Sequence, residues 1–397
     1  MHFSANVEKL KPSATIAVST LAKKLAAEGR DIINLSAGEP DFDTPEFISD
    51  AAVQGIRDGR TRYTPPAGVP ELRAAIASHL SERAGRELPA DGVVVTAGAK
   101  QALFNTIFTL FGPGDEVLIA APYWTTYPDL VTIARANPVE VFGPEDNDFK
   151  VTPAELSAAA TEATRGLVIN SPSNPTGAVY TLDELAAIAE WCRDNDVWLI
   201  SDEIYRQIHH DGDEPAPGIL DLPAEALGPF VLIDGASKGY AMTGWRIGYS
   251  FTAPEVAKKF TALQSQMTSN AATPSQMAAL AAYTDGAAAA ESLKTMGAAF
   301  RRRRDLVVQR LQELLPGVAW VHPGGAFYLY FRVDGFFDDA VTNATEWCSE
   351  LLEREGVALV PGAAFGDDRF VRLSFATSDE ILEDAFARIA SMVGAAR

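Results

Sequence analysis

Short β-branched runs alternate with amphipathic stretches between residues 93 and about 250. VVVT leads into AKQALFNTIFTLF, EVLIA into PYWTTYPDLVTIA, and GLVIN, after a turn-rich loop, into TLDELAAIAEWCRDN; VWLIS and FVLID follow. This alternation is typical of βα units, in which helices cover a mostly parallel sheet. The sequence therefore predicts an α/β fold, and ligands of such sheets lie at the carboxyl ends of the strands.

The pattern changes after about residue 290. A long basic helical stretch is followed by the β-rich segment AWVHPGGAFYLYFRV, a helix, the strand pair VALVPG and FVRLSFA, and a closing helix. We expect a large domain over residues 46–290 and a smaller α+β domain over residues 291–397. The N-terminal segment, residues 1–45, is expected to pack with the small domain.

Charge and composition exclude several classes of partner. The chain carries 53 acidic and 33 basic residues, a net charge of −20, which repels nucleic acid and anionic membrane surfaces. It has no apolar run of the roughly 18 to 20 residues that span a bilayer and no signal-peptide core, so we expect a cytoplasmic protein. Two cysteines, Cys192 and Cys348, indicate a reducing compartment, and their apolar-periodic surroundings predict packing in the core.

Two segments that follow strands hold glycine and asparagine in unusual settings. In TAGAKQALFN a strand runs through Gly98 into a helix starting near Ala99, and a helix N-terminus of this kind suits a phosphate. A plain βα turn has the same pattern. In NSPSNPTG the prolines constrain a turn that could present Asn174 at the sheet edge, although a purely structural asparagine fits equally well.

Two further segments place ionisable side chains at strand ends. Asp202 follows VWLIS directly, where a carboxylate needs a partner, and Tyr205 can reach the same pocket; helix capping is the alternative role. Lys238 follows FVLID, and desolvation there would lower its pKa so that the neutral amine can form a Schiff base. Ser237 and Arg246 are suitable phosphate ligands.

Taken together, the motifs resemble the fold type I pyridoxal phosphate enzymes, and among them the class I bacterial aspartate aminotransferases. The matching segments span nearly the whole chain in the family's order: KPSATIAV, AGEPDFDTP, YTPPAGVPELR, GAKQALFN, PYWTTYP, NSPSNPTGAVY, SDEIY, SKGYAMTGWRIGY, GGAFY and VRLSFATS. The resemblance implies a large cofactor-binding domain, with a mostly parallel seven-stranded sheet flanked by helices, and a smaller α+β domain.

The resemblance also implies roles for individual residues around pyridoxal phosphate. Lys238 would hold the cofactor covalently and then shuttle a proton. Asp202 would pair with the pyridine nitrogen, while Tyr205 and Asn174 would hydrogen-bond the phenolic oxygen. Trp124 would stack on the ring, with a core tryptophan as the structural alternative.

Further residues would bind the phosphate and the substrate. The phosphate would be held by Gly98, Ala99, Ser237 and Arg246, with Lys100 beside them. Tyr63 would reach the phosphate of a neighbouring subunit, which implies a homodimer. Arg372 would bind the substrate α-carboxylate, helped by a backbone N–H of Gly38.

Substrate choice depends on a site for a second carboxylate. The bacterial subgroup that the sequence resembles places a lysine after the phosphate turn, where this sequence has Lys100, and Ser13 and Thr15 could complete the site. The same subgroup links Lys11 to the use of prephenate, so aspartate alone and aspartate together with prephenate both stay open.

Three functions remain as alternatives. The first is a dicarboxylate aminotransferase acting on amino acids and 2-oxo acids. The second uses the same fold as a C–S lyase or as an aminotransferase for aromatic amino acids or alanine. The third is a non-catalytic, cofactor-binding regulator, which the acidic charge and the short N-terminus disfavour.

Overall fold

The computed structural model describes residues 4–8, 10 and 14–395. The strands are β1 (Ile33–Asn34), β2 (Val93–Thr96), β3 (Glu116–Ala121), β4 (Asn137–Phe142), β5 (Thr164–Asn170), β6 (Trp198–Asp202), β7 (Phe230–Gly235), β8 (Gly248–Phe251), β9 (Tyr328–Arg332), β10 (Val357–Ala358), β11 (Val360–Pro361) and β12 (Phe370–Ser374).

The α-helices surround these strands. They are α1 (Ala5–Glu8), α2 (Ala14–Ala27), α3 (Glu46–Arg57), α4 (Pro70–Ala84), α5 (Ala99–Leu110), α6 (Thr126–Ile133), α7 (Pro153–Ala159), α8 (Leu182–Asp194), α9 (Pro254–Met267), α10 (Thr273–Thr284), α11 (Gly286–Leu314), α12 (Ala344–Glu355) and α13 (Asp379–Ala395). Within the described ranges, no helix is long and apolar enough to cross a membrane.

A seven-stranded sheet forms the centre, in the order β2-β8-β7-β6-β5-β3-β4. The pairs from β7 through β6, β5 and β3 to β4 are parallel, and β8 runs antiparallel to both β7 and β2. The mostly parallel sheet predicted from the strand and helix alternation is therefore confirmed. Its parallel strands all deliver their carboxyl ends to the same edge.

Helices cover both faces of this sheet, as neighbouring residues of β6 illustrate. Leu199 belongs to the hydrophobic cluster that includes Leu72 of α4 and Leu185 of α8. Ile200 belongs to the opposite cluster, which includes Leu103 of α5 and Phe260 of α9. Successive side chains of a strand point to opposite faces, so the continuous apolar runs in the sequence reflect burial on both sides.

A second group of strands lies outside the central sheet, and most of it follows that sheet in the chain. Strands β11, β12 and β9 form an antiparallel sheet, and β1 pairs in parallel with β10 through Ile33 and Val357.

Cys192 in α8 and Cys348 in α12 are free and buried, which confirms their predicted packing in the core. The division of the chain at residues 45 and 290 stays a prediction.

An ion pair joins α11 to the N-terminal loop, which we define as residues 35–45 between β1 and α3. Both terminal nitrogens of Arg303 bind the carboxylate of Asp41, at 2.7 and 2.8 Å. The guanidinium also lies 5.4 Å from the ring centre of Phe42. Such a two-point contact fixes the loop in orientation as well as in distance. It holds the preceding residues, including Gly38, against the carboxyl edge of the sheet.

Candidate active site

A cavity of about 270 Å³ lies at the carboxyl ends of β5, β6 and β7. Residues from the N-terminal loop and from β9 and β12 close its other side. The structure therefore brings most of the predicted site residues into one place. Those that line the cavity are Thr15, Gly38, Ala99, Lys100, Trp124, Asn174, Asp202, Tyr205, Ser237, Lys238, Arg246 and Arg372.

One corner of the cavity is suited to an anion. Helix α5 begins at Ala99, and the first N–H groups of a helix have no intrahelical acceptor. Gly98 precedes it with a φ of 84°, and a Cβ at Gly98 would lie 2.5 Å from Nη2 of Arg246. Glycine is thus needed for the guanidinium to approach the helix start. With the Ser237 hydroxyl on the same wall, the corner offers the donors and positive charge that bind phosphate.

Asp202 is a buried carboxylate at the end of β6, with 2% of its surface exposed. Its hydrogen-bond partners in the described part of the chain are neutral: the Tyr127 hydroxyl donates at 2.7 Å and the Ile204 N–H at 3.2 Å. Burial raises the pKa of Asp202 to about 6, although the bond from Tyr127 opposes this effect. Asp202 is therefore an acceptor that a protonated, cationic group in the cavity would stabilise.

Lys238 follows β7, and its Nζ donates a hydrogen bond to the carbonyl oxygen of Gly38. Burial lowers the pKa of Lys238 to about 8; Glu39 opposes this shift, and Arg246 and Arg372 add to it. A larger fraction of the amine is then neutral near pH 7 than for an ordinary lysine. This is the state required for attack on a carbonyl or for removal of a proton.

Arg372 is a buried guanidinium on β12, with 1% of its surface exposed. It donates to Oδ1 of Asn174 at 2.8 Å and to the carbonyl oxygen of Ser36 at 2.7 Å. Both acceptors are neutral, and burial lowers the pKa of Arg372. A buried cation bonded to neutral groups favours the binding of an anion, and a guanidinium matches a carboxylate in shape.

Trp124, Lys100 and Thr15 form another part of the cavity wall. Nζ of Lys100 lies 4.8 Å from the ring centre of Trp124, a cation–π distance. Burial and then Arg246 lower the pKa of Lys100, while Asp129 opposes them. The buried Oγ1 of Thr15 has no hydrogen-bond partner among the described residues. The Lys100 ammonium and the Thr15 hydroxyl can therefore still bind a polar group.

A few predicted residues lie elsewhere. Tyr63 is 90% exposed and is not part of the cavity, so its predicted role at a partner's phosphate stays a prediction. Gly98 adjoins the cavity through Ala99 and Arg246. Lys11 and Ser13 lie outside the described residues.

Sequence reasoning missed four polar residues that line the cavity: Tyr127, Asn170, Thr243 and Tyr328. Tyr127 donates to Asp202, Asn170 donates to the backbone oxygen of Asp202 at 2.8 Å, and the Tyr328 hydroxyl lies 2.8 Å from that of Tyr205. Tyr127 follows Trp124 by three residues, the spacing that places two side chains on one side of a helical turn. That spacing, read within PYWTTYP, could have identified it.

The family model for class I and II aminotransferases matches residues 30–389. The chain belongs to this family. It is 42% identical to an aspartate aminotransferase of Bacillus subtilis over 99% of both chains. It is 44% identical to an aspartate/prephenate aminotransferase of Cereibacter sphaeroides over 97% of both. The structure of the Thermus thermophilus aspartate aminotransferase with maleate superposes with a TM-score of 0.92 at 40% identity, covering 98% of this chain and 99% of that one.

Membership of the class I and II aminotransferases confirms the resemblance and the fold predicted from the motifs. The chain is therefore an enzyme that transfers an amino group, which argues against the non-catalytic regulator. The family also gives a chemical context for the cavity, because amino acids and 2-oxo acids both carry an α-carboxylate. Arg372 is a buried cation in this cavity.

We expect Asp202→Asn to stabilise the cofactor-free protein at neutral pH. Folding raises the pKa of Asp202 from 3.8 to about 6, so the free energy of unfolding falls as pH rises between these values. Two pKa units correspond to roughly 3 kcal/mol. In urea unfolding, the free energy of unfolding of the variant minus that of the wild type should therefore be roughly 2 to 3 kcal/mol larger at pH 7.5 than at pH 4.

The matched control is Asp50→Asn, which removes an exposed carboxylate from α3. The difference in free energy of unfolding between this control and the wild type should be nearly the same at the two pH values. A difference between Asp202→Asn and the wild type that is constant from pH 4 to pH 7.5 would contradict the assignment of Asp202 as a destabilised buried charge.

Proposed function

We propose that this aminotransferase uses pyridoxal 5′-phosphate to transfer the amino group between L-aspartate and 2-oxoglutarate, giving oxaloacetate and L-glutamate. One observation carries the proposal. Lys238, Asp202 and Arg372 line one cavity, and their hydrogen bonds within the described ranges go to neutral groups. Amine, carboxylate and guanidinium are each complementary to a part of the cofactor or the substrate.

The donor set of the cavity fits the cofactor. The corner formed by Ala99, Ser237 and Arg246 would hold the phosphate, and Asp202 would accept a hydrogen bond from the protonated ring nitrogen. The Tyr205 hydroxyl and the Asn174 amide would donate to the phenolic oxygen, and Trp124 would cover the ring. When bound, pyridoxal phosphate supplies an electron sink that stabilises negative charge at the substrate Cα.

Lys238 and Arg372 would do the remaining work on the substrate. Lys238 would hold the cofactor and, once released by the incoming amine, move a proton between the substrate Cα and C4′ of the cofactor. Its lowered pKa, about 8, is favourable for a general base near neutral pH. Arg372 would orient the α-carboxylate so that the Cα–H bond faces Lys238.

Aspartate is favoured as substrate because the cavity wall contains a second cation, Lys100, besides the arginines. Lys100 would pair with the distal carboxylate, and Thr15 would donate its unpartnered hydroxyl. The names of the relatives from Bacillus subtilis and Thermus thermophilus support this choice. Because the Cereibacter sphaeroides relative is named an aspartate/prephenate aminotransferase, prephenate is the second amino acceptor to test, together with a Lys11→Ala variant.

We further propose a cytoplasmic homodimer. The exposed Tyr63 would bind the phosphate in the partner's site, which requires a second copy of the chain. The two free, buried cysteines are consistent with a reducing compartment.

The function is tested by adding L-aspartate alone to purified, cofactor-loaded protein. The absorption of the aldehyde form of the cofactor should give way to that of the amine form, and 2-oxoglutarate should reverse the change. Lys238→Ala should abolish this half-reaction while retaining some bound cofactor, because the phosphate corner and Asp202 remain. In a parallel sample with L-cystathionine, release of pyruvate, ammonia and a thiol, together with no amine form from aspartate, would indicate a C–S lyase. An unchanged half-reaction in Lys238→Ala would refute the mechanism.

The role of Lys100 is tested by comparing two substrate classes. If its ammonium pairs with the distal carboxylate, Lys100→Ala should cost roughly 2 to 5 kcal/mol in transition-state binding of aspartate, or about 30-fold or more in kcat/KM. Alanine and phenylalanine should lose far less. Lys258→Ala removes an exposed lysine of α9 and serves as the control. An equal loss for both classes would mean that Lys100 supports the cofactor or the fold.

The shared site is tested by mixing two impaired variants, Tyr63→Phe and Lys238→Ala. If Tyr63 reaches the partner's phosphate, a hybrid dimer contains one site with both residues intact, and activity should rise on subunit exchange. Each variant incubated alone gives the baseline. A monomer in sedimentation analysis, or exchange without any gain in activity, would rule out the shared site.

A further inference from the structure

Tyr328, on β9, contacts both the carboxylate-binding and the cofactor-binding parts of the cavity. Its ring lies beneath the guanidinium of Arg372, with 4.4 Å between Cζ and the ring centre. Its hydroxyl lies 2.8 Å from the hydroxyl of Tyr205. The side chain is fully buried, and the two contacts use different parts of it.

The Tyr328 hydroxyl lies close to the backbone at Gly38. A Cβ added to Gly38 would lie 3.0 Å from this oxygen, closer than most side-chain contacts. Across the site, Arg372 donates to Asn174 at 2.8 Å, and the Asn174 amide lies 3.5 Å from the Tyr205 hydroxyl. Arg372 and Tyr205 are therefore bridged twice, once through Asn174 and once through Tyr328.

The direction of the bond between the two phenols follows from proton counting. Each hydroxyl has one hydrogen to donate. If Tyr205 donates its hydrogen to the phenolic oxygen of the cofactor, as proposed above, then Tyr328 must be the donor to Tyr205. A hydroxyl that accepts one hydrogen bond becomes a stronger donor in the next, since hydrogen bonds in a chain polarise one another.

We propose that Tyr328 is a positioning residue with two separable actions: its ring holds the guanidinium of Arg372 in place, and its hydroxyl strengthens Tyr205 as a donor to the cofactor. This inference rests on the proposed function, because it requires the cofactor beside Tyr205. The hydroxyl sets the electronic state of the cofactor, and the ring sets affinity for the α-carboxylate.

Two substitutions separate these actions. Tyr328→Phe removes the hydroxyl and keeps the ring, whereas Tyr328→Leu removes both. The first measurement is a pH titration of the absorption spectrum of the loaded protein, which reports protonation of the nitrogen linking Lys238 to the cofactor. The second is the dissociation constant for maleate, a dicarboxylate that has no amino group to react, measured at a pH where that nitrogen is protonated in every variant.

We expect Tyr328→Phe to raise the spectral pKa by about 0.3 to 1 unit, in the same direction as Tyr205→Phe but by less. A weaker donor leaves more negative charge on the phenolic oxygen, which then holds the neighbouring proton more tightly. The affinity for maleate should stay within about twofold, because the ring remains. Tyr328→Leu should also weaken maleate binding by about 3- to 30-fold.

Tyr330→Phe is the matched control. It removes a buried phenol hydroxyl two residues along β9, where the oxygen lies 3.5 Å from the carbonyl of Asp367 and away from the cavity. It should change neither measurement. Circular dichroism and cofactor content show which variants are folded and loaded, and Tyr328→Met replaces Tyr328→Leu as the variant without the ring if the leucine variant does not fold.

The inference is overturned if Tyr328→Phe leaves the spectral pKa unchanged while Tyr205→Phe raises it. It is also overturned if Tyr328→Phe weakens maleate binding as much as Tyr328→Leu does. Failure of the proposed function has a different signature, because the wild type itself would then not bind pyridoxal phosphate or react with aspartate.

Discussion

Burial of charged side chains whose described hydrogen bonds go to neutral groups is the constraint on which this site depends. Asp202 and Arg372 are buried and Lys238 is partly buried, and their hydrogen bonds within the described ranges go to neutral groups. Burial raises the pKa of Asp202 and lowers those of Lys238 and Arg372, which disfavours the charged form in each case. A ligand with complementary charges relieves this cost, so the fold holds the groups ready for binding and for proton transfer.

The fold fixes the position of each group by placing it on a strand or shortly after one. Asp202 ends a central strand, Lys238 follows the neighbouring strand β7, and Arg372 lies within a strand of the smaller sheet. The N-terminal loop joins these parts, because its backbone oxygens at Ser36 and Gly38 accept hydrogen bonds from Arg372 and Lys238. Loop carbonyls can satisfy these donors without introducing a carboxylate that would compete with the substrate.

The sequence predicted what depends on local pattern and order along the chain. The alternation of apolar runs and amphipathic stretches predicted the parallel sheet, and Asp202 and Lys238 were found because strand ends can be located from that alternation. The family motifs supplied Arg372, whose isolated setting on a strand carries no signal of its own. Contacts such as that of Tyr127 with Asp202 depend on side-chain directions and on elements 75 residues apart, which periodicity does not encode.

Arg372 and Lys100 differ in how firmly their neighbours hold them in place, and under the proposed function this difference would affect substrate choice. Arg372 is held by Asn174, Ser36 and the ring of Tyr328, so its position is set before a substrate arrives. Lys100 lies in the first turn of α5, and its flexible side chain has a cation–π contact with Trp124 but no hydrogen bond among the described residues. Under the proposed function, the α-carboxylate would therefore meet a fixed surface, whereas the substrate side chain would meet an adjustable one. Such an arrangement keeps the amino-transfer chemistry constant while the distal group can vary.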